Sequence, residues 1–263
     1  MNEKNFVEQI QIFSKDLDID IVKKILVFDE VSSTNIKCKE LAQNSEPEGT
    51  IVVSQIQKKG RGRFDRIWDS PEGGLYFSII LQPKCQPGKA TLLPLLAALS
   101  VCKTIKSVCD LDVKIKWPND VLINGRKVCG ILLESESKKD GFEFVVLGIG
   151  INLNTDVDLL SKDFVATSIA YELGIKLDFY GFFKKLLLNL DKYYKFFSQE
   201  KYDIILKEYR KNSDTIGRQV CIDVSSGKIE GNALDVDSCG FLIIKTSSEK
   251  HKTITSGDCF YIK

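Results

Sequence analysis

The sequence predicts an α+β protein with a mixed, mostly antiparallel sheet, helices on one face of that sheet, and a small all-β module at the C-terminal end. Three observations carry this prediction. Asn124-Gly125 lies between two apolar runs, which is the strongest short hairpin signal. Apolar residues recur at helical spacing after Asp178 and predict a long amphipathic helix. After Gly217, only short alternating runs separated by turn residues remain, and these predict strands alone.

The first half of the chain is predicted to alternate between helices and strands. Phe6, Ile10 and Phe13 recur at helical spacing near the N-terminus. The polar residues 32–35 are of the kind that caps a helix, here one ending near Gln43. Runs rich in β-branched and aromatic residues predict strands. The other predicted helices span 3–15 and 90–107, and the predicted strands span 24–28, 49–56, 74–82 and 113–116.

The second half is predicted to complete the sheet and then to form helices before the all-β module. A short helix over 168–173 ends at Gly174, a residue type that favours helix C-termini. The helix capped by Asp178 is expected to reach about Tyr209, with a break near Gln199. The remaining strands are expected at 121–123, 127–136 and 142–153, with turns at 139–141, 225–227, 237–240 and 247–250.

The composition excludes several classes of function. The chain has 37 basic and 36 acidic residues and a formal charge of +1, so no global field draws it to nucleic acid or to a membrane. Eight scattered cysteines without a Cys-x-x-Cys pair, and the single His251, do not form a metal-binding pattern. Since the N-terminus has no signal peptide, these thiols predict a reduced, cytoplasmic protein. The longest apolar candidate, 91–101, is shorter than the roughly 18 residues of a membrane span.

The stretch Gly60–Trp68 is the most informative part of the chain. It holds three of the six arginines and one of the two tryptophans, although thirty-one lysines supply positive charge elsewhere. Arginine presents a flat, permanently charged fork that grips carboxylate or phosphate groups, and glycine lets the backbone approach a ligand closely. We therefore predict a loop that closes over an anionic small molecule containing a ring.

Two other interpretations of this stretch stay open at this point. A polar surface turn explains the glycines and part of the charge, but not arginine in place of lysine three times. An Arg-Gly element for RNA is the second alternative, although such elements are usually longer and lie in disordered tails. A dinucleotide fingerprint is excluded because Asp65 stands where a third glycine is required, and the sequence contains no Gly-x-x-x-x-Gly-Lys-Ser/Thr phosphate loop.

Three further positions suggest contacts with a ligand, and each has a structural alternative. Asn119-Asp120 is either a turn between strands or an amide and a carboxylate suited to phosphate or Mg²⁺. Lys127 is either a point charge for an anion or an exposed lysine at a strand end. Gly130 inside a predicted strand indicates a close approach of a ligand or of another backbone segment.

Two other groups of residues have the chemistry of a nucleotide or ureido site. Gly148 and Gly150 share one face of a predicted strand, which admits a flat group or marks a bulge. The amide of Asn152 both donates and accepts, as an adenine edge requires. Uncharged hydrogen-bonding residues suit a ureido or amide ligand, or else serve as helix caps and strand-end polar groups; they are Ser33, Thr34, Asn35 and Gln57.

In this order the motifs resemble those of the biotin protein ligases. They are Ser-Thr-Asn at 33–35, Gln-x-x-Gly-Arg-Gly-Arg-x-x-Arg-x-Trp at 57–68, Lys-Trp-Pro-Asn-Asp at 116–120, Arg-Lys-x-x-Gly-Ile-Leu at 126–132 and Gly-x-Gly-Ile-Asn at 148–152. The resemblance runs from about residue 28 to the C-terminus. The related lipoate ligases carry a different glycine-rich signature with a His-Asp pair, whereas the lone His251 lies in the C-terminal tail.

The resemblance implies both a fold and a reaction. The fold is a class II synthetase-like biotin/lipoate ligase catalytic domain over 28–212, preceded by a helical extension over 1–27 and followed by an SH3-like β-barrel over 213–263. The reaction has two steps and uses biotin, ATP and Mg²⁺. Biotin and ATP first give biotinyl-5′-adenylate and pyrophosphate, and the biotinyl group then passes to one lysine of a biotin carboxyl carrier protein.

The resemblance also implies a role for each candidate site residue. The residues implied to hold the ureido head of biotin are Ser33, Thr34, Asn35 and Gln57. The loop that closes over biotin and the adenylate contains Arg61, Gly62, Arg63 and Arg66. Lys127, with Gly130 beside it, is implied to contact the biotin carboxylate and the α-phosphate, while Trp68 covers the adenine and Asn152 hydrogen-bonds it. The implied catalytic set is Lys127, Arg63 and Arg61, and the implied metal set is Asn119 and Asp120.

The partners follow from the same resemblance. The expected partner is the biotin carboxyl carrier protein of acetyl-CoA carboxylase or of a related carboxylase. Some members add an N-terminal DNA-binding domain, for which about 27 residues before the first catalytic strand are too few, so we expect no DNA binding and no membrane binding. Members often form homodimers by sheet pairing, and that question stays open. The alternatives are a lipoate or octanoate ligase of the same fold and a nucleic-acid-binding module.

Overall fold

A computed structural model describes residues 6–15, 17–138, 141–161 and 165–262. The expectations for residues 3–5 and for the turn at 139–140 lie outside these ranges. Within them, each helix and strand that the sequence predicts is present, with ends that differ by a few residues. The helices are α1 (Phe6–Lys15), α2 (Thr34–Gln43), α3 (Pro87–Ala90), α4 (Leu92–Val108), α5 (Ile169–Leu173), α6 (Phe179–Ser198) and α7 (Tyr202–Asn212).

A seven-stranded sheet carries the candidate site. Its strands are β1 (Lys24–Val31), β2 (Thr50–Gln57), β3 (Leu75–Leu81), β4 (Val113–Lys116), β5 (Asp120–Ile123), β6 (Arg126–Lys138) and β7 (Gly141–Ile151), in the spatial order β1-β2-β3-β7-β6-β5-β4. β1 and β2 are parallel and the other neighbours are antiparallel. This arrangement confirms the predicted mixed, mostly antiparallel sheet. β6 and β7 are the longest strands, and Gly130 faces Gly150 between them.

Helices cover both faces of this sheet, so the expectation of helices on one face is wrong. α2 packs through Cys38 against Val52 and Ile80. α4 and α6 pack on the opposite face, in the cluster that contains Ile51 and Val53. Ile51, Val52 and Val53 are all fully buried, although successive side chains of a strand point to opposite faces. A strand that is apolar on both faces needs cover on both sides, and α2 supplies the second cover.

The helical stretch Pro87–Val108 is long and apolar enough to cross a membrane by length and composition, with a mean hydropathy of 1.4 over the best window. However, 67% of that window is buried inside the protein. Leu96, Leu99 and Ile105 belong to the main core together with the apolar face of α6. The core helices of globular proteins have this composition because they are surrounded by apolar neighbours on all sides.

The chain after α7 forms a second, five-stranded antiparallel sheet. Its strands are β8 (Gln219–Val224), β9 (Gly227–Val236), β10 (Leu242–Lys245), β11 (His251–Ile254) and β12 (Asp258–Tyr261), in the order β11-β10-β9-β8-β12. Trp117 joins this sheet to the larger one. It is 2% exposed, its backbone N–H donates to Oγ1 of Thr215 at 2.9 Å, and its indole Nε1 donates to the carbonyl of Gly240 at 3.0 Å.

The local signals around α5 to α7 act as the sequence predicts. Gly174 ends α5 in the left-handed conformation, with a φ of 71°. Asp178 caps α6 by accepting hydrogen bonds from the backbone N–H groups of Tyr180 and Gly181, each at 3.1 Å. The helical segment is interrupted between Ser198 and Tyr202, near the predicted break. These helices therefore form for local reasons, and their apolar faces then bury against the sheet.

Candidate active site

An open cleft of about 770 Å³ lies where the stretch Gly60–Trp68 crosses the sheet. Residues from more than 100 positions apart in the chain meet here. All of the candidate site residues except Asn152 line the cleft; they are Ser33, Thr34, Asn35, Gln57, Arg61, Gly62, Arg63, Arg66, Trp68, Asn119, Asp120, Lys127 and Gly130. The motifs that the sequence contains separately thus form a single site.

One end of the cleft is built from uncharged hydrogen-bonding groups. The backbone N–H and Oγ1 of Thr34 donate to Oε1 of Gln57 at 2.8 and 3.1 Å. Ser33 occupies the N-cap position of α2 but makes no side-chain bond to its first turn, so the helix-cap interpretation is wrong for this residue. Thr34 and Asn35 are 4% exposed and still line the cleft. We call this region, lined by Ser33, Thr34, Asn35 and Gln57, the head pocket.

A serine that the sequence analysis did not single out contacts two residues of the head pocket. Oγ of Ser78, on β3, lies 2.8 Å from Oγ1 of Thr34 and 2.6 Å from Oδ1 of Asn35. Ser78 is fully buried. Ser70 also contacts the head pocket, since its Oγ accepts from Nε2 of Gln57 at 2.8 Å. Neither serine has a distinctive local pattern, which is why sequence reasoning missed both.

The three strand glycines make room for side chains of the protein itself. A Cβ on Gly150 would lie 2.4 Å from Nε1 of Trp68, and one on Gly130 would lie 3.0 Å from Cζ3 of the same ring. A Cβ on Gly148 would lie 1.9 Å from Oδ1 of Asn35. The prediction that a flat group lies against the sheet at this point is therefore confirmed, and the flat group is the indole of Trp68.

Lys127 and Asp120 form an ion pair in the wall of the cleft. Nζ of Lys127 lies 2.8 Å from Oδ1 of Asp120, and only 23% and 21% of the two side chains are exposed. Nζ of Lys127 also lies 5.2 Å from the ring centre of Trp68, a cation–π distance. An exposed lysine at a strand end is therefore the wrong interpretation. Lys127 instead provides a positive charge that is held in place by two side chains.

The stretch Gly60–Trp68, here called the arginine loop, contacts two other parts of the chain, β6 and the start of β12. Nη1 of Arg61 lies 2.9 Å from Oε1 of Glu134 on β6, and Nη1 of Arg63 donates to the carbonyl of Gly257 at 3.2 Å. Arg66 pairs with the carboxylate of Asp258, at the start of β12. Burial lowers the pKa of the Arg63 guanidinium, and Asp258 and Asp120 oppose that shift. Such fixed contacts do not fit a simple polar surface turn.

Asn119 lies in the turn between β4 and β5, as one interpretation of the sequence predicts, and its side chain also contacts the cleft wall. Its Nδ2 donates to the carbonyl of Ile131 at 2.6 Å, and its Oδ1 accepts from Nη1 of Arg63 at 3.4 Å. Among the described residues, no group of three or more histidine, cysteine, aspartate or glutamate side chains is placed to hold a metal ion. The cleft thus offers the carboxylate of Asp120 and the amide of Asn119, and no metal cage made of protein alone.

Asn152 is the candidate that the structure does not bring into the cleft. It is 1% exposed and its Nδ2 donates to the carbonyl of Thr167 at 3.0 Å. It lines a smaller, narrow hollow without free space for a water molecule, of which Trp68 forms another wall. Its Oδ1 has no hydrogen-bond partner among the described residues. Trp68 is therefore common to both spaces, and Asn152 borders only the smaller one.

The cysteines play no visible part in the site. All eight are free thiols. Cys129 lies next to the cleft in sequence, but it is fully buried and burial raises the pKa of its thiol. A thiol with a raised pKa is a poor nucleophile. Cys129 is therefore a core residue of β6.

Two acidic residues that pair with arginines of the site were also missed from the sequence. Glu134 has a signal that could have found it, because it lies two and four residues beyond Leu132 and Gly130 and so shares their strand face. Asp258 has no such signal, since it is 192 positions away from its partner Arg66. Only the docking of the C-terminal sheet, anchored by Trp117, brings Asp258 to the cleft.

The fold and the cleft together define a class of enzyme. A fixed lysine and three arginines line a cleft that also offers uncharged donors and acceptors, as is needed in an enzyme that brings two anionic groups together and recognises a neutral head group. Comparison with known proteins narrows this class. Residues 27–152 match the biotin/lipoate A/B protein ligase family, and residues 215–261 match the biotin protein ligase C terminal domain.

Individual relatives agree with these two matches. The bifunctional ligase/repressor BirA of Bacillus subtilis is 37% identical over 247 residues, which cover 92% of this chain and 75% of the relative. The biotin–[acetyl-CoA-carboxylase] ligase of Paracoccus denitrificans is 28% identical, with 87% and 97% of the two chains covered. The biotin protein ligase from Aquifex aeolicus in complex with biotin and ATP superposes with a TM-score of 0.78 and 30% identity, over 92% of this chain and 99% of that one.

The chain belongs to the biotin protein ligase family and is a ligase. This confirms the resemblance seen in the sequence motifs. The Aquifex structure also confirms the predicted fold class, a class II synthetase-like α+β domain followed by a β domain.

Proposed function

We propose that this chain is an ATP-dependent biotin protein ligase. In this proposal it condenses biotin with ATP to give biotinyl-5′-adenylate and pyrophosphate, and it then transfers the biotinyl group to one lysine of a biotin carboxyl carrier protein. The single observation that carries the proposal is the cleft itself, in which the cations Lys127, Arg61 and Arg63 line the same space as the uncharged Thr34 and Gln57. The Aquifex relative, described with biotin and ATP, supports both substrates.

The head pocket suits the ureido ring of biotin. A ureido group has two N–H donors and one carbonyl acceptor, and none of its atoms is charged. Ser33, Thr34, Asn35 and Gln57 offer hydroxyl and amide groups of both kinds. They also lie in a region where an unsatisfied polar group would lose its water, so a ligand that lacks those groups would be rejected.

The cationic end suits the chemistry of the first step. A biotin carboxylate and the α-phosphate about 4 Å apart repel each other by roughly 4 kcal/mol at an effective dielectric near 20. We assign Lys127, Arg63 and Arg61 to offset that repulsion and to stabilise the charge that develops at phosphorus. Arg66 and Gly62 belong to the same loop, which excludes water from the mixed anhydride.

Trp68 and Gly130 are proposed to define the adenylate position. The indole of Trp68 lies against Gly130, and Trp68 also borders the hollow that contains Asn152. For Trp68 to cover an adenine while Asn152 hydrogen-bonds its edge, the indole has to shift when ATP binds. The unpartnered Oδ1 of Asn152 supports this assignment, because a buried acceptor gains from a ligand N–H.

Mg²⁺ is proposed to enter with the nucleotide. The donors at hand are the carboxylate of Asp120 and the amide oxygen of Asn119, which both line the cleft. Mg²⁺ is commonly bound by one or two carboxylates together with substrate phosphates and water. One carboxylate beside an amide fits that mode, and when bound the ion would neutralise charge on the phosphates.

The partner and the assembly remain proposals as well. We propose that the acceptor is the biotin carboxyl carrier protein of acetyl-CoA carboxylase or of a related carboxylase, as the name of the Paracoccus relative suggests for that protein. A homodimer is proposed through the edge of β6, because among the described residues β5 pairs with β6 only as far as Gly130. Unpaired strand edges of this kind readily pair with a second chain.

Three further expectations go with the proposed function. The domain limits are proposed as 1–27, 28–212 and 213–263, and the location as cytoplasmic. DNA binding is not expected; a salt-sensitive gel shift at micromolar protein would contradict this and favour the nucleic-acid alternative. A lipoate or octanoate ligase is tested by replacing biotin with either acid in the assay below.

The test of the proposed function has two parts. The first is the exchange of labelled pyrophosphate into ATP, which we expect to depend on biotin and not on lipoate or octanoate. The second is mass spectrometry of a carrier domain after incubation with ATP and biotin, where we expect the mass of one biotinyl group on a single lysine. Absence of biotin-dependent exchange, with ATP and biotin preparations shown to be active, would overturn the proposal.

A further inference from the structure

A continuous chain of side-chain contacts links the two ends of the arginine loop through the head pocket. At one end, Oγ of Ser70 donates to the carbonyl of Trp68 at 3.0 Å and accepts from Gln57. At the other end, Arg61 contacts Glu134. The intervening residues are in hydrogen-bond contact with one another, in the order Gln57, Thr34, Ser78, Asn35 and Glu134.

Glu134 is the member of this chain that touches both the head pocket and the loop. Its Oε2 accepts from Nδ2 of Asn35 at 2.9 Å, and its Oε1 lies 2.9 Å from NH1 of Arg61. One carboxylate thus uses one oxygen for each of two elements, α2 and the arginine loop. The side chain is 28% exposed, so solvent reaches one side of it, while both of its partners line the cleft.

The contact with Glu134 also fixes the orientation of the Asn35 amide. Oδ1 of Asn35 lies 2.6 Å from Oγ of Ser78, and Nδ2 points to Glu134. A flipped amide would set its oxygen against the carboxylate of Glu134, which is repulsive. Translation of the amide is also restricted, because it packs against the backbone of Gly148. Glu134 therefore determines which polar atom of Asn35 is available in the head pocket.

We propose that Glu134 is a positioning residue of the ligase, which orients Asn35 for the biotin head group and holds Arg61 at the cleft. The inference rests on the proposed function and adds to it a residue that links its two ends. Glu134 need not touch either substrate in this role. Since Arg61 also meets the anionic groups, Glu134 and the substrates share one cation, and the carboxylate keeps that cation in place before they bind.

The test uses Glu134→Gln with Glu136→Gln as its matched control. Glu134→Gln keeps the size of the side chain but offers one acceptor and one donor, so it cannot accept from both Asn35 and Arg61. Glu136 lies two residues further along β6 and accepts from Nε2 of Gln43, on α2, at 3.0 Å, whereas the two partners of Glu134, Asn35 and Arg61, both line the cleft. Both variants remove one partly exposed carboxylate, and both are expected to keep the thermal midpoint of the wild type.

Two quantities are expected to change in Glu134→Gln. The KM for biotin in the pyrophosphate exchange assay should rise about tenfold, the factor that corresponds to the loss of one charge-assisted hydrogen bond. The rate at which preformed biotinyl-adenylate leaves the enzyme should rise by a similar factor. In Glu136→Gln both quantities should stay within about twofold of wild type. Equal behaviour of the two variants would overturn the inference.

Double variants separate positioning from a general structural effect. In an Arg61→Ala background, Glu134→Gln should have almost no further effect on adenylate release, while its effect on the KM for biotin persists. In an Asn35→Ala background, Glu134→Gln should have almost no further effect on the KM for biotin, while its effect on adenylate release persists. Additive effects in both backgrounds would show that Glu134 does not act through these partners. A wild-type protein without biotin-dependent exchange would instead contradict the proposed function, so the two failures are distinguishable.

Discussion

The ammonium group of Lys127 lies 2.8 Å from the carboxylate of Asp120, across two neighbouring strands of the central sheet. The register between β5 and β6 shifts between Val121 and Leu122, and such a bulge re-aims side chains at the edge of a site. Because the cation already has a fixed position, the protein does not need to reorganise when an anion replaces Asp120 as its partner.

Removal of the Lys127 cation should slow adenylate formation. We expect Lys127→Ala to reduce biotin-dependent pyrophosphate exchange by roughly 10²-fold to 10³-fold, as is common when one fixed stabilising group is lost from an active site. Lys114→Ala is the matched control, since Lys114 lies on β4, two strands away from β6, with a side chain that is 39% exposed and outside the cleft. Exchange that stays near the wild-type rate in Lys127→Ala would remove this residue from the proposed catalytic set.

Removal of Arg63 should let the reactive intermediate escape. Arg63 contacts Asn119, just before β5 of the larger sheet, and the carbonyl of Gly257, just before β12 of the C-terminal sheet, so its loss loosens the loop from both. We expect Arg63→Ala to release biotinyl-adenylate faster by roughly tenfold, measured as biotin attached to lysines of a bystander protein.

The control is Arg126→Ala, which breaks a pair with Glu172 away from the cleft and should leave bystander labelling at the wild-type level. Equal bystander labelling by Arg63→Ala and wild type would refute the prediction.

A methyl group on Gly150 should disturb the position of Trp68. The added Cβ would lie 2.4 Å from Nε1 of the indole, which is far inside contact distance, so the ring must move. We expect Gly150→Ala to shift the tryptophan fluorescence and to weaken ATP binding by at least about tenfold, with a loss of stability of about 1–3 kcal/mol from overpacking. Gly88→Ala is the control, because its Cβ would make an ordinary 3.7 Å contact with Cys239.

Acid should destabilise the protein partly through Glu208. Lys103 and Lys211 lie 2.8 and 2.9 Å from its carboxylate, and they lower the pKa of Glu208 from 4.5 to about 2. A carboxyl with a lowered folded-state pKa stabilises the protein above its unfolded-state pKa, and this contribution is lost as the pH falls from about 4.5 to about 2. Glu208→Gln should therefore lower the free energy of unfolding at pH 7 by roughly 1 kcal/mol, after allowance for solvent screening.

The check for Glu208 is a series of denaturant unfolding curves between pH 2 and pH 7. The difference between wild type and Glu208→Gln should shrink as the pH falls through this window. Glu230→Gln, which changes an exposed carboxylate in the C-terminal sheet, should leave the pH dependence of the wild type intact. A difference that is constant with pH would mean that the pairing with the two lysines contributes nothing.

The sequence by itself determined the elements and the identity of most cleft residues. Helices and strands follow from local spacing, as in the cap of Asp178 on α6 and the left-handed Gly174 after α5. The arginine loop was recognisable because three of the six arginines lie together. These signals are visible in sequence because each depends on residues that are neighbours along the chain.

Only the tertiary structure decided which groups hold those residues in place and which face they occupy. The pairs Arg61–Glu134 and Arg66–Asp258 join positions 73 and 192 residues apart, and no local pattern specifies such partners. In the folded chain, Asn152 lies outside the cleft in a hollow that Trp68 borders, and α2 packs on the sheet face opposite α4. The physical reason is the same in each case: strand order and the docking of the C-terminal sheet set these contacts, and both result from the packing of the whole chain.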